Sequence, residues 1–171
     1  MISPEIQDAF NKQINRELYS AYLYSAMANH FNNVNLKGFA NWMRIQTDEE
    51  LAHARKMIDF VNNRNGRVIY EAVDAPPSSW ESPLSVFEES YKHECFISES
   101  INEISSLAMQ KKDHATHAFL EWFVTEQVEE EANADDIVQQ LKLVQDAPGA
   151  LFILDREMAQ RTPAPAADGA A

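Results

Sequence analysis

A chain of 171 residues, 45% hydrophobic and with only 4 glycines, is long enough to bury one core and is biased towards helix rather than turn-rich sheet. Its 27 acidic residues against 14 basic ones leave a formal net charge of -13, which excludes a general nucleic-acid binder because such a surface repels a phosphate backbone. A single cysteine, Cys95, excludes an internal disulfide, and no apolar run approaches the roughly 18 residues that would suggest a membrane span. With no basic or apolar leader over Met1–Glu5, the expectation is a cytoplasmic protein with no membrane partner.

Ser3-Pro4-Glu5 is a helix start, with a capping serine, proline at the first helical position and an acid in the first turn. From there Ile6, Phe10, Ile14, Leu18, Ala21 and Ala28 recur at helical spacing to about Phe31. After the break Asn32-Asn33-Val34-Asn35, a second helix is predicted from about Leu36 to Arg64, closed by a left-handed stop at Asn65-Gly66. The irregular stretch from Arg67 to Ser82, with Pro76 and Pro77, is long enough to cross the length of a bundle. A third helix is predicted from Ser82-Pro83, carrying Phe87, Tyr91, Ile97, Ile101, Ile104 and Ala108 on one stripe. A fourth runs from about His114 to Val144, and a short fifth covers Ala150 to Gln160. The pattern predicts an all-α fold over residues 1–160: two helical hairpins joined by a long crossover into a four-helix bundle, plus the short fifth helix. The tail 161–171, rich in Ala and Pro, is expected to be disordered.

Each long helix carries polar residues where its apolar stripe should continue: Glu17 in the first, Glu50 and His53 in the second, Glu94 in the third, Gln127 and Glu130 in the fourth. Glu17 and Glu50 stand 33 positions apart, and so do Glu94 and Gln127. A shift of 77 carries Glu17, Glu50 and His53 onto Glu94, Gln127 and Glu130. The midpoints of both pairs fall in the predicted turns, so each antiparallel hairpin should bring its polar groups to the same height. Two hairpins then form halves of a pseudo-twofold site.

Four carboxylates in a core need a counter-charge, since removing each from water costs several kcal/mol and their mutual repulsion adds to that. No Lys or Arg falls on these stripes at that level, so two divalent cations are the expected remedy. Oxygen-rich ligation with one imidazole suits iron or manganese, with zinc an open alternative; the absence of thiolates disfavours a structural zinc site.

The set Glu17, Glu50-Leu-Ala-His53, Glu94 and Gln127-Val-Glu-Glu130 resembles the ferroxidase centre of the non-haem bacterial and archaeal ferritins. The stretches Asn15-Arg-Glu-Leu-Tyr-Ser-Ala-Tyr-Leu-Tyr24, Tyr91-Lys-His-Glu94 and Glu121-Trp122-Phe-Val are similar to that family as well, and the likeness extends over about residues 3–160. The resemblance implies one iron held by Glu17, Glu50 and His53 and a second by Glu94 and Glu130, with Glu50 bridging. Gln127, where related di-iron proteins have glutamate, implies a centre that releases its iron; a hydrogen-bonding role for its amide is the alternative. Glu49, Glu126 and Glu129 match the family's third iron site, the alternative being a solvated acidic face. Tyr24 matches its redox-active tyrosine, the alternative being a packed aromatic with a satisfied hydroxyl; Trp122 is expected in the core.

Leu51 follows Glu50 where the haem-binding bacterioferritins have methionine, so no haem is expected. The fourth helix lacks Glu-x-x-His, which sets the chain apart from bacterioferritin and rubrerythrin alike. The implied function is iron storage: Fe(II) oxidised by oxygen or hydrogen peroxide and deposited as ferric mineral within a homo-oligomeric cage of twenty-four subunits. The competing class is a di-iron or di-manganese peroxidase or oxygenase acting as a small oligomer.

Overall fold

The computed structural model describes residues 1–144 and 147–163. Five helices form: α1 (Pro4–Asn33), α2 (Lys37–Asn63), α3 (Pro83–Gln110), α4 (His114–Val144) and α5 (Pro148–Met158). Ser3 caps α1, its hydroxyl accepting from the Ile6 N–H at 3.4 Å. Ser82 and Ser85 form a reciprocal capping box on either side of Pro83. Asp113 starts α4 by accepting from the Thr116 N–H at 3.1 Å, and its carboxylate also takes Arg64 at 3.1 Å, tying the end of α2 to the α3–α4 turn.

The tight turns share one device. Asn35, Asn65 and Lys112 adopt left-handed backbones, with φ of 64°, 55° and 57°. Asparagine takes that conformation at little cost, so the stop after α2 rests on Asn65 rather than on the glycine beside it. Gly66 is needed for closeness instead: a Cβ there would lie 2.8 Å from the side chains of Ile2 and Val61.

α1 packs along α2 and α3 along α4, and α1 and α3 also approach each other closely. α2 and α4 meet through side chains, Phe60 stacking on Phe119 with centroids 3.9 Å apart. The crossover lies along α1, pinned by three amides a turn apart. Gln7 accepts from the Arg67 N–H at 2.8 Å, Asn11 bonds both the Arg67 carbonyl and the Ile69 N–H, and Asn15 donates to the Ala72 carbonyl.

The core divides into two apolar clusters. One, at the α1–α2 turn, gathers Leu23, Met27, Phe31, Phe39, Trp42, Phe87 and Leu154. The other, at the opposite end, gathers Ile6, Phe10, Ile14, Met57, Ile97, Leu120 and Phe123. Every long helix crosses from one to the other, and the polar residues of each stripe fall in the gap. Tyr91, placed by periodicity on the α3 stripe, is instead 36% exposed, because that stripe turns through Ser90 and Glu94.

α5 docks on the start of α2. No side chain of its own N-cap, Leu36, closes α2; Asp155 does so from α5, its Oδ1 accepting from the N–H groups of Gly38 and Phe39 at 2.9 and 3.0 Å. The contact requires Gly38, since a Cβ would lie 1.5 Å from the Asp155 carbonyl oxygen. Of the tail expected from 161, residues 164–171 lie outside the described residues, while Arg161 is held against α2 by hydrogen bonds to Trp42, Gln46 and Glu49.

Candidate metal centre

Glu17, Glu50 and His53 converge from α1 and α2, all buried. One ligand atom from each lies within 4.8 Å of the others, and among the described residues no other trio of acidic, histidine or cysteine side chains does so. His53 Nδ1 stands 3.5 Å from Glu50 Oε2 and 3.9 Å from Glu17 Oε2. Its ring is fixed edge-on to Trp122 and Phe123, with centroids 5.5 and 5.7 Å away.

Glu17 Oε1 accepts from Gln13 at 2.7 Å, but Glu17 Oε2 is buried without any hydrogen-bond partner. An orphaned carboxylate oxygen facing a second carboxylate and an imidazole is costly unless a cation or proton occupies the space between them.

α3 and α4 complete the layer. Glu94 accepts from the Tyr24 hydroxyl and, at 3.1 Å, from Gln127 Nε2. The same amide nitrogen lies 3.3 Å from the Glu94 carbonyl, so the Gln127 amide is engaged as a donor to Glu94. Glu130 accepts from Gln46 Nε2 at 2.7 Å, and Gln46 also reaches Glu50 Oε1 at 3.4 Å. Among the described residues no Lys or Arg pairs with Glu17, Glu50, Glu94 or Glu130.

Burial is the main force on the protons here, with mutual repulsion behind it. Burial and then the Glu50 charge push the Glu17 carboxyl up to about 8. Burial and the Glu94 charge push Glu130 up to about 7 and Glu50 well above the usual carboxylate range. Glu94 is also raised by burial, though the Tyr24 and Gln127 hydrogen bonds oppose the shift. Burial and Glu94 hold the Tyr24 hydroxyl protonated far above its ordinary value. Burial thus favours the protonated carboxyls, and a divalent cation bound here would have to replace those protons.

Glu49, Glu126 and Glu129 do not join this close group. Glu49 lies on the outer side of α2, ion-paired to Arg161 at 2.5 Å; Glu126 is half-buried and Glu129 exposed. Trp122, expected in the core, is 40% exposed, with the Lys56 ammonium 3.2 Å from its ring centroid.

Two supporting residues were not singled out from the sequence. Gln13 and Gln46 each precede a glutamate by one helical turn and stand 33 positions apart, as Glu17 and Glu50 do. That repeated offset was the available signal.

Antiparallel helices with a short fifth helix, and a buried carboxylate–imidazole cluster midway along them, define the class of helical bundles that hold metal between facing helices. The Ferritin-like domain family matches residues 7–144. The chain is 40% identical over 161 residues to a bacterial non-haem ferritin of Bacteroides fragilis, covering 94% of this chain and 100% of the relative. It is 36% identical to another from Staphylococcus saprophyticus, covering 95% and 97%. Among solved structures, an open-pore ferritin from the hyperthermophilic archaeon Archaeoglobus fulgidus superposes with a TM-score of 0.94 at 53% identity, covering 95% of this chain and 100% of that one. The chain belongs to the ferritin family, in its non-haem bacterial and archaeal branch, and its function is iron storage.

Proposed function

We propose that this ferritin oxidises Fe(II) to Fe(III) at the buried centre and passes the product to a ferric mineral enclosed by a cage of identical subunits. The observation that carries the reading is the buried Glu17 Oε2, which has no hydrogen-bond partner and lies in a close group with Glu50 and His53. Glu17, Glu50 and His53 take one Fe(II); Glu94 and Glu130 take the second, with Glu50 shared between them. Carboxylates favour the harder ferric state, so charge stabilisation drives the oxidation. Two Fe(II) would supply the two electrons, and solvent the two protons, that convert dioxygen to hydrogen peroxide.

The protein's part is positional. Gln13 and Gln46 hold one oxygen of Glu17 and of Glu130 by donation, leaving the other oxygens to the metal. Gln127, donating to Glu94, orients that carboxylate and adds no further negative charge, which favours release of the ferric product. The Tyr24 hydroxyl faces Glu94, which would take its proton if the tyrosine gave one electron to the oxygen or peroxide oxidant. Glu49, Glu126 and Glu129 form a third, outer iron position, reached when their side chains swing together. No helix among the described residues is long and apolar enough to cross a membrane, and the low cysteine content suits the cytoplasm.

Aerobic Fe(II) addition to the metal-free protein, followed by ferric absorbance, tests this reading. Rapid oxidation of about two Fe(II) per subunit is expected, and Glu17→Ala with Glu50→Ala should reduce it to the rate in buffer. Unchanged oxidation in that double variant would place the chemistry elsewhere.

A further inference from the structure

The segment after α5 supplies a cation that touches the polar layer from outside at Gln46, as Arg16 does at Gln13. Arg161 Nη2 donates to Glu49 Oε2 at 2.5 Å, while Nη1 donates to Gln46 Oε1 at 2.9 Å and to the Trp42 carbonyl at 3.2 Å. The guanidinium carbon sits 4.2 Å from the Trp42 ring centroid, and Asn41 donates to the Arg161 carbonyl at 3.2 Å. Three α2 residues, one turn after another, are thus read by one planar fork. Its backbone is anchored by the docking of Asp155 on Gly38 and Phe39.

An arginine only donates, so Gln46 must present its oxygen to Arg161 and its nitrogen inward, where it meets Glu130 and Glu50. The opposite amide orientation would set its oxygen against those carboxylates and against none of its present donors. Arg161 therefore fixes the sense of the Gln46 amide and neutralises Glu49 at the same time.

We propose that Arg161 is a positioning residue and a resident counter-ion: it occupies the Glu49 carboxylate, and a metal cation taking Glu49 must first displace it. This rests on the reading of Glu49, Glu126 and Glu129 as a third iron position. Such a position would be filled only after the inner two, because its ligand begins paired and partly buried, with side-chain exposures of 20% for Arg161 and 23% for Glu49. Displacement also frees Gln46 and one tie between the segment after α5 and α2, so filling the third position loosens the amide that holds Glu130.

Anaerobic titration of the assembled, full-length protein with Co(II), followed by calorimetry, separates the possibilities. Arg161→Met keeps the apolar stem over Trp42 and removes the charge; Arg161→Lys keeps a charge for Glu49. In Arg161→Met the third Co(II) per subunit is expected to bind about five- to tenfold more tightly than in the unmodified protein. Arg161→Lys should restore the weaker binding, which a purely packing role for the arginine would not produce. Circular dichroism and size exclusion verify that each variant is folded and assembled. Equal third-site affinity in all three proteins overturns the role of Arg161 and leaves the third position standing. No third Co(II) in any of them, including Arg161→Met, overturns the third-position reading and the inference with it.

Discussion

Replacing Glu17 by Gln measures what it costs to assemble the centre before any cation arrives. Burial, followed by the Glu50 charge, raises this carboxyl from 4.5 to about 8. The folded chain therefore holds a proton that the unfolded chain has released at intermediate pH, so the stability of the metal-free protein falls as pH rises through that window. Between the ordinary value of 4.5 and neutrality this one group removes about 3 kcal/mol. A glutamine at this position titrates nothing; its oxygen keeps the Gln13 bond and its nitrogen replaces the orphaned Oε2 as a donor towards Glu50. Glu17→Gln is expected to stabilise the metal-free protein by about 1–3 kcal/mol at neutral pH and hardly at all near pH 5. The assay is urea unfolding with a chelator present, at fixed protein concentration, over a pH series. Unmodified and variant curves that run parallel with pH would refute the reasoning, whatever their vertical offset. Zn(II) should reverse the trend in the unmodified protein, since the cation replaces the proton and binds better as pH rises.

Other consequences are independent of that one. Gln46→Leu removes the donor to Glu130 and Glu50 without changing their charge, and the initial rate of Fe(II) oxidation in stopped flow should fall about tenfold. Tyr24→Phe keeps the aromatic packing and deletes the hydroxyl facing Glu94; freeze-quench paramagnetic resonance during Fe(II) oxidation should lose any tyrosyl radical signal, and its persistence would assign that electron to another residue. Asp155→Ala uncaps α2 and should cost about 1–2 kcal/mol in denaturant unfolding. Gly38→Ala drives a Cβ into the Asp155 carbonyl and should disturb the same contact more severely, with faster hydrogen exchange confined at first to α5 and the start of α2.

The bundle was legible because each helix announces its ends by capping residues and its buried face by period. The serines at 3 and 82, the prolines after them and the two 33-residue intervals placed all four long helices and the height of their polar residues. What stayed hidden depends on pairs remote in the chain. Asp155 caps α2 across 117 positions, and nothing local to either residue signals it. Arg161 was masked by the Ala- and Pro-rich composition around it, which describes the average tendency of a tail and not the fate of its first residue. The buried carboxylates were readable because a carboxylate is anomalous on an apolar stripe. Glu49, Glu126 and Glu129 sit off that stripe, where acids are ordinary, so position alone does not set their rotamers.

The division of the core into two apolar clusters has a mechanical consequence. The middle layer gains nothing from hydrophobic burial, so its dimensions are dictated from above and below, by the Phe31–Phe39–Phe87 group at one end and the Phe10–Phe60–Phe119 group at the other. These aromatic sets act as the two jaws of a caliper, one gripping α1, α2 and α3 and the other α1, α2 and α4. Trimming Phe60 or Phe119, which ligate nothing, should change the gap offered to a pair of cations, and with it which metals the gap accepts.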